Sequence, residues 1–488
     1  MTPKIPRCMS TQHPDNATLP FFAQNSVLSG DDEVQEAYYV FSHLGIEEQL
    51  WDSEGKDVDN SVVKKLLNNY GQFFHSKKLG KDFFLTLRVP NPTEEKNEAK
   101  ILLETLESIP RSFDVAREFY CEDIAPIFEV VQPMTRNAAE LERIYRYYTD
   151  FVVGKQHKKI VDINISKWIG TFQPERINVI PLIEDKESLS NIKKIVGEFI
   201  LGKGLEYQRV WLARSDPALN YGMLSAVLLN KVAAAQLDEL QEESSLDIFP
   251  IIGVGSVPFR GNFSPDNTNC LKGYPSVQTF TTQSAFKYDH SYEDVQDAVS
   301  TINETKRRKA IPVDKNKCSE IIERVSHQYI KELQEIVPWI HKIAGFIPKR
   351  RNRKLHIGLF GYSRGVGEFS LPRAIGFCAS LYSLGLPPEL LGYSALKERD
   401  FAFLEEGIYK NYFGDMRDAL RYTNLKTMKM ISPHLAGVAQ KALKQLHIEI
   451  DTQHATLTDE IFEAIRMEKK TSIQEKILRA AWRRKFLG

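Results

Sequence analysis

The 488-residue sequence has no apolar run near the roughly 18 residues that a membrane-spanning helix needs. No membrane span is expected. Its first residues lack the apolar core of a signal peptide, so a cytoplasmic setting is expected. Net charge is also missing, because Lys+Arg and Asp+Glu both number 64. No overall field draws the chain to nucleic acid or to an anionic membrane, and no nucleic-acid-binding motif is present. Cysteine is scarce and dispersed: Cys8, Cys121, Cys270, Cys318 and Cys378 contain no C-x-x-C pair. That excludes a disulfide framework or a cysteine zinc site and fits reduced thiols. The histidines form no H-x-x-x-H pair, there is no solenoid-type repeat, and no Gly/Ser/Pro linker divides the chain.

What is present is the composition of an ordinary globular enzyme, 42% hydrophobic and 26% charged. The length suits a large barrel with added helices, folded as one compact unit over residues 1–488. Short β-rich runs recur at Lys4–Thr11, Phe83–Val89, Ile127–Met134, Ile177–Glu184, Arg209–Arg214, Phe249–Ser256, Val277–Gln283 and His356–Ser363. Helical stretches follow several of them, at Glu94–Leu106, Ala138–Tyr148, Ser188–Phe199 and Tyr221–Leu240. Strands alternating with helices indicate βαβ units, and about eight such units predict a (β/α)8 barrel of the TIM type. Three helical additions are expected. Residues 22–80 follow the first strand, with Asp31–Phe74 reading as helices. Residues 291–347 precede the eighth strand, with Ile321, Ile322, Val325 and Ile330 at helical spacing. Residues 386–488 form a helical C-terminal region.

The candidate chemistry lies at strand ends. His13, in Thr11-Gln12-His13-Pro14-Asp15, closes the first strand, and an imidazole takes and returns a proton near neutral pH. Ile177–Asp185 is an apolar strand ending in acids, with Glu184 directed to the barrel mouth. Arg209–Asp216 repeats that design with Asp216. Two carboxylates from adjacent strand ends form a hard oxygen site for Mg²⁺ or Mn²⁺; the bland alternative makes each a helix N-cap. Arg88 ends the core of the second predicted strand, and Arg260 and Arg364 lie after the sixth and eighth. Guanidinium forks bind phosphate and carboxylate bidentately, and Gly361, Gly365 and Gly367 let backbone amides approach an anion beside Arg364. Taken singly, each such arginine is a surface residue and each glycine a turn. The basic runs Lys349–Lys354 and Arg483–Lys485 read as solvated surface, the first also able to steer an anion.

The stretch Cys8-Met9-Ser10-Thr11-Gln12-His13-Pro14-Asp15-Asn16 resembles the opening signature of the archaeal-type phosphoenolpyruvate carboxylases, and the resemblance covers nearly the whole chain. Motifs of the larger branch of that family are similar to Val179–Asp185, Ser215–Asn220, Leu87–Pro92, Phe259–Asn262 and Tyr362–Arg364. The run Phe286-Lys287-Tyr288 recurs there too, without an assigned role. The chain departs from that branch at Ile252-Gly253-Val254 and at Leu219, where a lysine is expected.

The resemblance implies carboxylation of phosphoenolpyruvate by bicarbonate to oxaloacetate and phosphate, an anaplerotic carbon fixation through carboxyphosphate and an enolate. It implies His13 as the base, Glu184 and Asp216 as metal ligands for Mg²⁺ or Mn²⁺, Arg88, Arg260 and Arg364 as catalytic and substrate-binding cations with Gly365 beside them, and a homotetramer. Two other readings of the same residues are a different metal-dependent barrel lyase acting through an enolate, and a non-catalytic barrel that binds a phosphorylated metabolite.

Overall fold

The structure is a computed structural model that describes residues 4–54, 59–352, 364–366, 369–467 and 472–488. Eight parallel strands close into a barrel in strict chain order. They are β1 Cys8–Ser10, β2 Glu48–Asp52, β3 Phe84–Arg88, β4 Glu129–Gln132, β5 Asn178–Ile183, β6 Tyr207–Ala213, β7 Asp247–Gly253 and β8 Thr279–Thr282. β8 pairs with β1 through Phe280 and Cys8, which seals the ring. Helices follow the strands on the outside, as right-handed crossovers require. Among the described residues no single helix is long and apolar enough to cross a membrane.

Two expectations are corrected. The span 22–80 contains β2 as well as the helices Asp31–Ser42, Val62–Asn69 and Gly71–Ser76. β2 escapes a hydrophobic-pattern reading because Glu48 and Asp52, at alternating positions, are buried charges. The expected strand at His356–Ser363 lies outside the described residues, and the barrel closes without it. The span 291–347 therefore follows the last barrel strand rather than preceding it. It holds the helices Tyr292–Glu304 and Lys315–Ala344, whose starts are capped by Ser291 and Asp314. Ile321, Ile322 and Val325 are buried there, with Ile330 at the edge. Beyond residue 386 the described chain is mostly short helices.

The barrel interior is layered. Its floor is ionic: Arg209 on β6 reaches Glu48 on β2 at 2.7 and 2.8 Å, Glu129 on β4 at 2.6 Å, and Thr279 on β8 at 3.1 Å. These four side chains come from alternate strands, the layering that closed barrels adopt. Above them Met9, Leu50, Val131, Ile180, Leu182, Trp211, Ala213 and Ile251 form an apolar plug. The mouth, at the C-terminal ends of the strands, is charged again.

Candidate active site

A cavity of about 490 Å³ opens at that mouth. His13, Arg88, Glu184, Asp216 and Arg260 all line it, together with Leu182 and Trp211 from the apolar plug. Five residues spread over most of the barrel sequence thus meet in one place, where barrel folds carry their chemistry.

His13 sits on a loop pinned from both sides. Its carbonyl accepts the amides of Asp15 at 3.1 Å and Ser284 at 3.2 Å. Its ring Nδ1 lies 2.8 Å from the Thr11 hydroxyl. The buried Lys287 ammonium donates to Ser10 Oγ at 2.8 Å and to the Thr11 carbonyl at 3.1 Å. Asp15 is fully buried, accepts the Ala285 amide at 2.7 Å, and faces Arg260 at 3.4 Å. Burial raises its pKa, against the opposing pull of Arg260.

Glu184 follows β5 and accepts the Met134 amide at 2.7 Å. The neighbouring Asp185, not Glu184, caps the helix Lys186–Ser190 by accepting the Ser188 amide at 2.8 Å. Asp216 lies in the first turn of Ser215–Tyr221, one residue past the N-terminal one, so it is no N-cap either. Both acids therefore turn their chemistry toward the cavity rather than toward a helix end. No cluster of three or more metal-ligating side chains occurs among the described residues. Mg²⁺ needs fewer: one or two carboxylates, with water and substrate oxygens completing its octahedron. The pair Glu184 and Asp216 fits that donor set.

The arginines divide into two kinds. Arg88 forms a fork with Asp52, at 2.7 and 2.6 Å, and its remaining nitrogen meets Glu54 at 2.9 Å. Although burial opposes its charge, those two acids raise its pKa above the ordinary arginine value. Arg260 is buried against Ser215 Oγ at 3.0 Å, Gln283 Oε1, and a main-chain oxygen of Gly488, the last residue, at 2.8 Å. Its loop turns through Gly261 at φ 138°, where an added Cβ would come within 2.7 Å of Val254.

The structure adds cations that motif reading did not assign. Arg214, Lys349, Arg350, Arg351 and Arg373 also line the cavity, beside the N-terminus of the helix Ala374–Ser383. The expectation of solvated basic runs is corrected for three residues. Arg350 is 6% exposed and Arg351 and Arg484 are each 4% exposed. Arg351 is buried because Glu33 and Glu36 meet it. Arg350 is buried because the Asn16 and Ala17 carbonyls do. Arg214 and Arg373 stand just past β6 and just before a helix start, the positions that could have found them. Arg364 and Gly365 lie on the short strand Arg364–Val366, which pairs with Phe369–Leu371 outside the barrel. The placement of their side chains lies outside the described residues.

Comparison with known proteins follows the same line. The family model described as phosphoenolpyruvate carboxylase matches residues 5–488. A phosphoenolpyruvate carboxylase of Methanothermobacter thermautotrophicus is 52% identical over 99% of this chain and 100% of its own length. One from Pyrococcus horikoshii is 48% identical over 99% of this chain and 100% of its own. Among solved structures, an HpcH/HpaI aldolase from Desulfitobacterium hafniense aligns with 61% of this chain and 93% of its own, at 11% identity and a TM-score of 0.34.

Proposed function

The chain belongs to the phosphoenolpyruvate carboxylase family, and on that premise we propose that its barrel mouth joins bicarbonate to phosphoenolpyruvate, giving oxaloacetate and phosphate. The observation that carries this reading is the meeting of His13, Arg88, Glu184, Asp216 and Arg260 around one cavity. The sequence had singled out each of them separately.

Glu184 and Asp216 are the residues that would hold a divalent ion, Mg²⁺ or Mn²⁺, which when bound supplies Lewis-acid stabilisation of the charge growing on the enol oxygen. Arg260 presents its positive charge to a phosphoryl group at the cavity wall, where Ser215 Oγ and Gln283 Oε1 orient its guanidinium. Arg350, bound to the Asn16 and Ala17 carbonyls, and Arg373, 3.7 Å from Glu54, add to that field. Arg88 works differently, holding Asp52 and Glu54 in place and setting the charge beside Glu184. The family resemblance assigns Arg364 and Gly365 to the same anion.

Bicarbonate oxygen attacks phosphorus and the bond from phosphorus to the enol oxygen breaks. The products are carboxyphosphate and the enolate of pyruvate, held by positioning and electrostatics. His13 then takes the carboxyphosphate proton, CO₂ and phosphate part, and the enolate methylene carbon attacks CO₂ in a pocket floored by Leu182 and Trp211. The family resemblance further supports a homotetramer, which light scattering of the purified chain would test, and the dispersed cysteines support a cytoplasmic setting.

The deciding experiment couples oxaloacetate to a reporter enzyme and withholds bicarbonate and Mg²⁺ in turn. Loss of product in both cases is expected; turnover without bicarbonate would point to a different lyase. His13→Asn should bind metal and substrate yet release pyruvate and phosphate in place of oxaloacetate. Undiminished oxaloacetate from that variant would take His13 out of the reaction.

A further inference from the structure

We propose that Lys287, Glu36 and Arg351 form a buried bridge that positions Thr11, and through it the His13 ring, and that ties this base to the cavity wall carrying Arg351. The proposal rests on the reading of His13 as the proton acceptor. Lys287 and Glu36 sit at 3% and 0% exposure and meet at 3.0 Å. The other two bonds of Lys287 go to Ser10 Oγ and the Thr11 carbonyl, so the ammonium clamps the end of β1. Arg351 donates to both oxygens of Glu36, at 2.6 and 2.5 Å, and Tyr288 adds its hydroxyl at 2.7 Å. Burial opposes ionisation of Glu36, yet Arg351 and Lys287 outweigh it and hold its pKa at about 2.

The bridge has two ends of different kinds. At one end is Arg351, a cavity residue whose segment is stitched to Leu28 by backbone bonds of 2.9 and 3.2 Å on either side. At the other end Thr11 Oγ1 meets His13 Nδ1 at 2.8 Å. If the Thr11 hydroxyl accepts from Nδ1–H, the basic lone pair lies on Nε2, because the partner of one ring nitrogen sets the role of the other. A purely structural ion cluster needs no such ends. The floor cluster of Arg209, Glu48 and Glu129 touches neither the cavity nor the His13 loop.

Loss of this positioning has a chemical signature. When the base misses its proton, the enolate takes a proton from water at its methylene carbon and becomes pyruvate, while carboxyphosphate breaks down to phosphate and CO₂. The test measures the oxaloacetate-to-pyruvate ratio from phosphoenolpyruvate at saturating bicarbonate, with Mg²⁺ present. It uses full-length Thr11→Val, Thr11→Ser, Glu36→Gln and His13→Asn variants at a temperature where circular dichroism reports each folded. Thr11→Val removes the hydroxyl and keeps the shape; Thr11→Ser restores it. Thr11→Val and Glu36→Gln should lower the ratio by about tenfold, the usual scale for losing a partner that orients a functional imidazole. Thr11→Ser should stay near the parent. Slower turnover at an unchanged ratio in Thr11→Val would reduce the bridge to a structural role. Thr11→Val decides alone if Glu36→Gln does not fold. A shifted ratio in His13→Asn without one in Thr11→Val would overturn only the bridge. An unshifted ratio in His13→Asn would overturn the base itself.

Discussion

Arg88 and Arg260 stand on opposite sides of one mouth, equally buried, and do opposite things. On the β2–β3 side Arg88 is enclosed by Asp52 and Glu54, the latter also 3.7 Å from Arg373, so that acids take up its charge. On the β7–β8 side Arg260 leans on a hydroxyl, an amide and a main-chain oxygen of the last residue, Gly488, and its nearest acidic side chain, Asp15, is at 3.4 Å. One side spends its cation on the fold; the other leaves a cation over the cavity. An arginine in a matching motif does not by itself mark an anion site. Its partners decide that.

The sharpest break should come from Arg88→Met. It strands Asp52 and Glu54 as buried charges and should cost about 3–5 kcal/mol of folding stability, read from urea unfolding. An unfolding midpoint within error of the parent would mean the trio relaxes by other contacts. Next in size, Arg260→Gln should lower kcat/KM about 100- to 1000-fold with a much smaller shift in the midpoint. If stability fell as far as in Arg88→Met, the two sides would not differ in kind.

A third measurement uses pH. Burial pushes Glu389 up to about 7 and Asp415 up to about 6. Both support the Arg260 loop, Glu389 through the Phe259 amide at 2.5 Å and Asp415 through Asn262 at 2.9 Å. Their folded values exceed the unfolded values of about 4, so the folded state holds more protons across the interval between them. Their stabilising contribution is full below that interval and is lost as pH climbs through about 7. Glu389→Gln, which keeps an acceptor, should remove roughly 3 kcal/mol of that decline. A parent-like slope of Tm against pH would exclude Glu389 as its source. The smallest effect belongs to Lys349, an exposed cation at the cavity edge. Lys349→Met should raise the KM for phosphoenolpyruvate roughly two- to threefold at low salt and leave it unchanged at high salt. A salt-independent change would mean direct contact instead.

Much of this molecule is legible in its sequence, and the parts that are not share a cause. The barrel followed from apolar runs alternating with helices, and His13, Glu184 and Asp216 from acids and an imidazole at strand ends. β2 was missed because Glu48 and Asp52 face inward, and a strand whose core-facing residues are acids inverts the pattern that reveals strands. Their cations, Arg209 and Arg88, lie on other strands. The basic run before Asn352 looks like surface in the sequence for the same reason. Glu33 and Glu36, which bury Arg351, lie more than 300 residues earlier. Local periodicity reports what a residue prefers against water; it does not report a counter-charge arriving from elsewhere in the chain.

The ionic floor bears on how the chain can be divided. Glu48 and Glu129 belong to the first four strands, whereas Arg209 belongs to the last four. A fragment stopping after β4 would hold two glutamates against hydrocarbon with no guanidinium to meet them, and its complement would hold the guanidinium alone. Half-barrels of this protein are thus poor folding intermediates, and cutting it at that seam would yield two insoluble pieces rather than two domains.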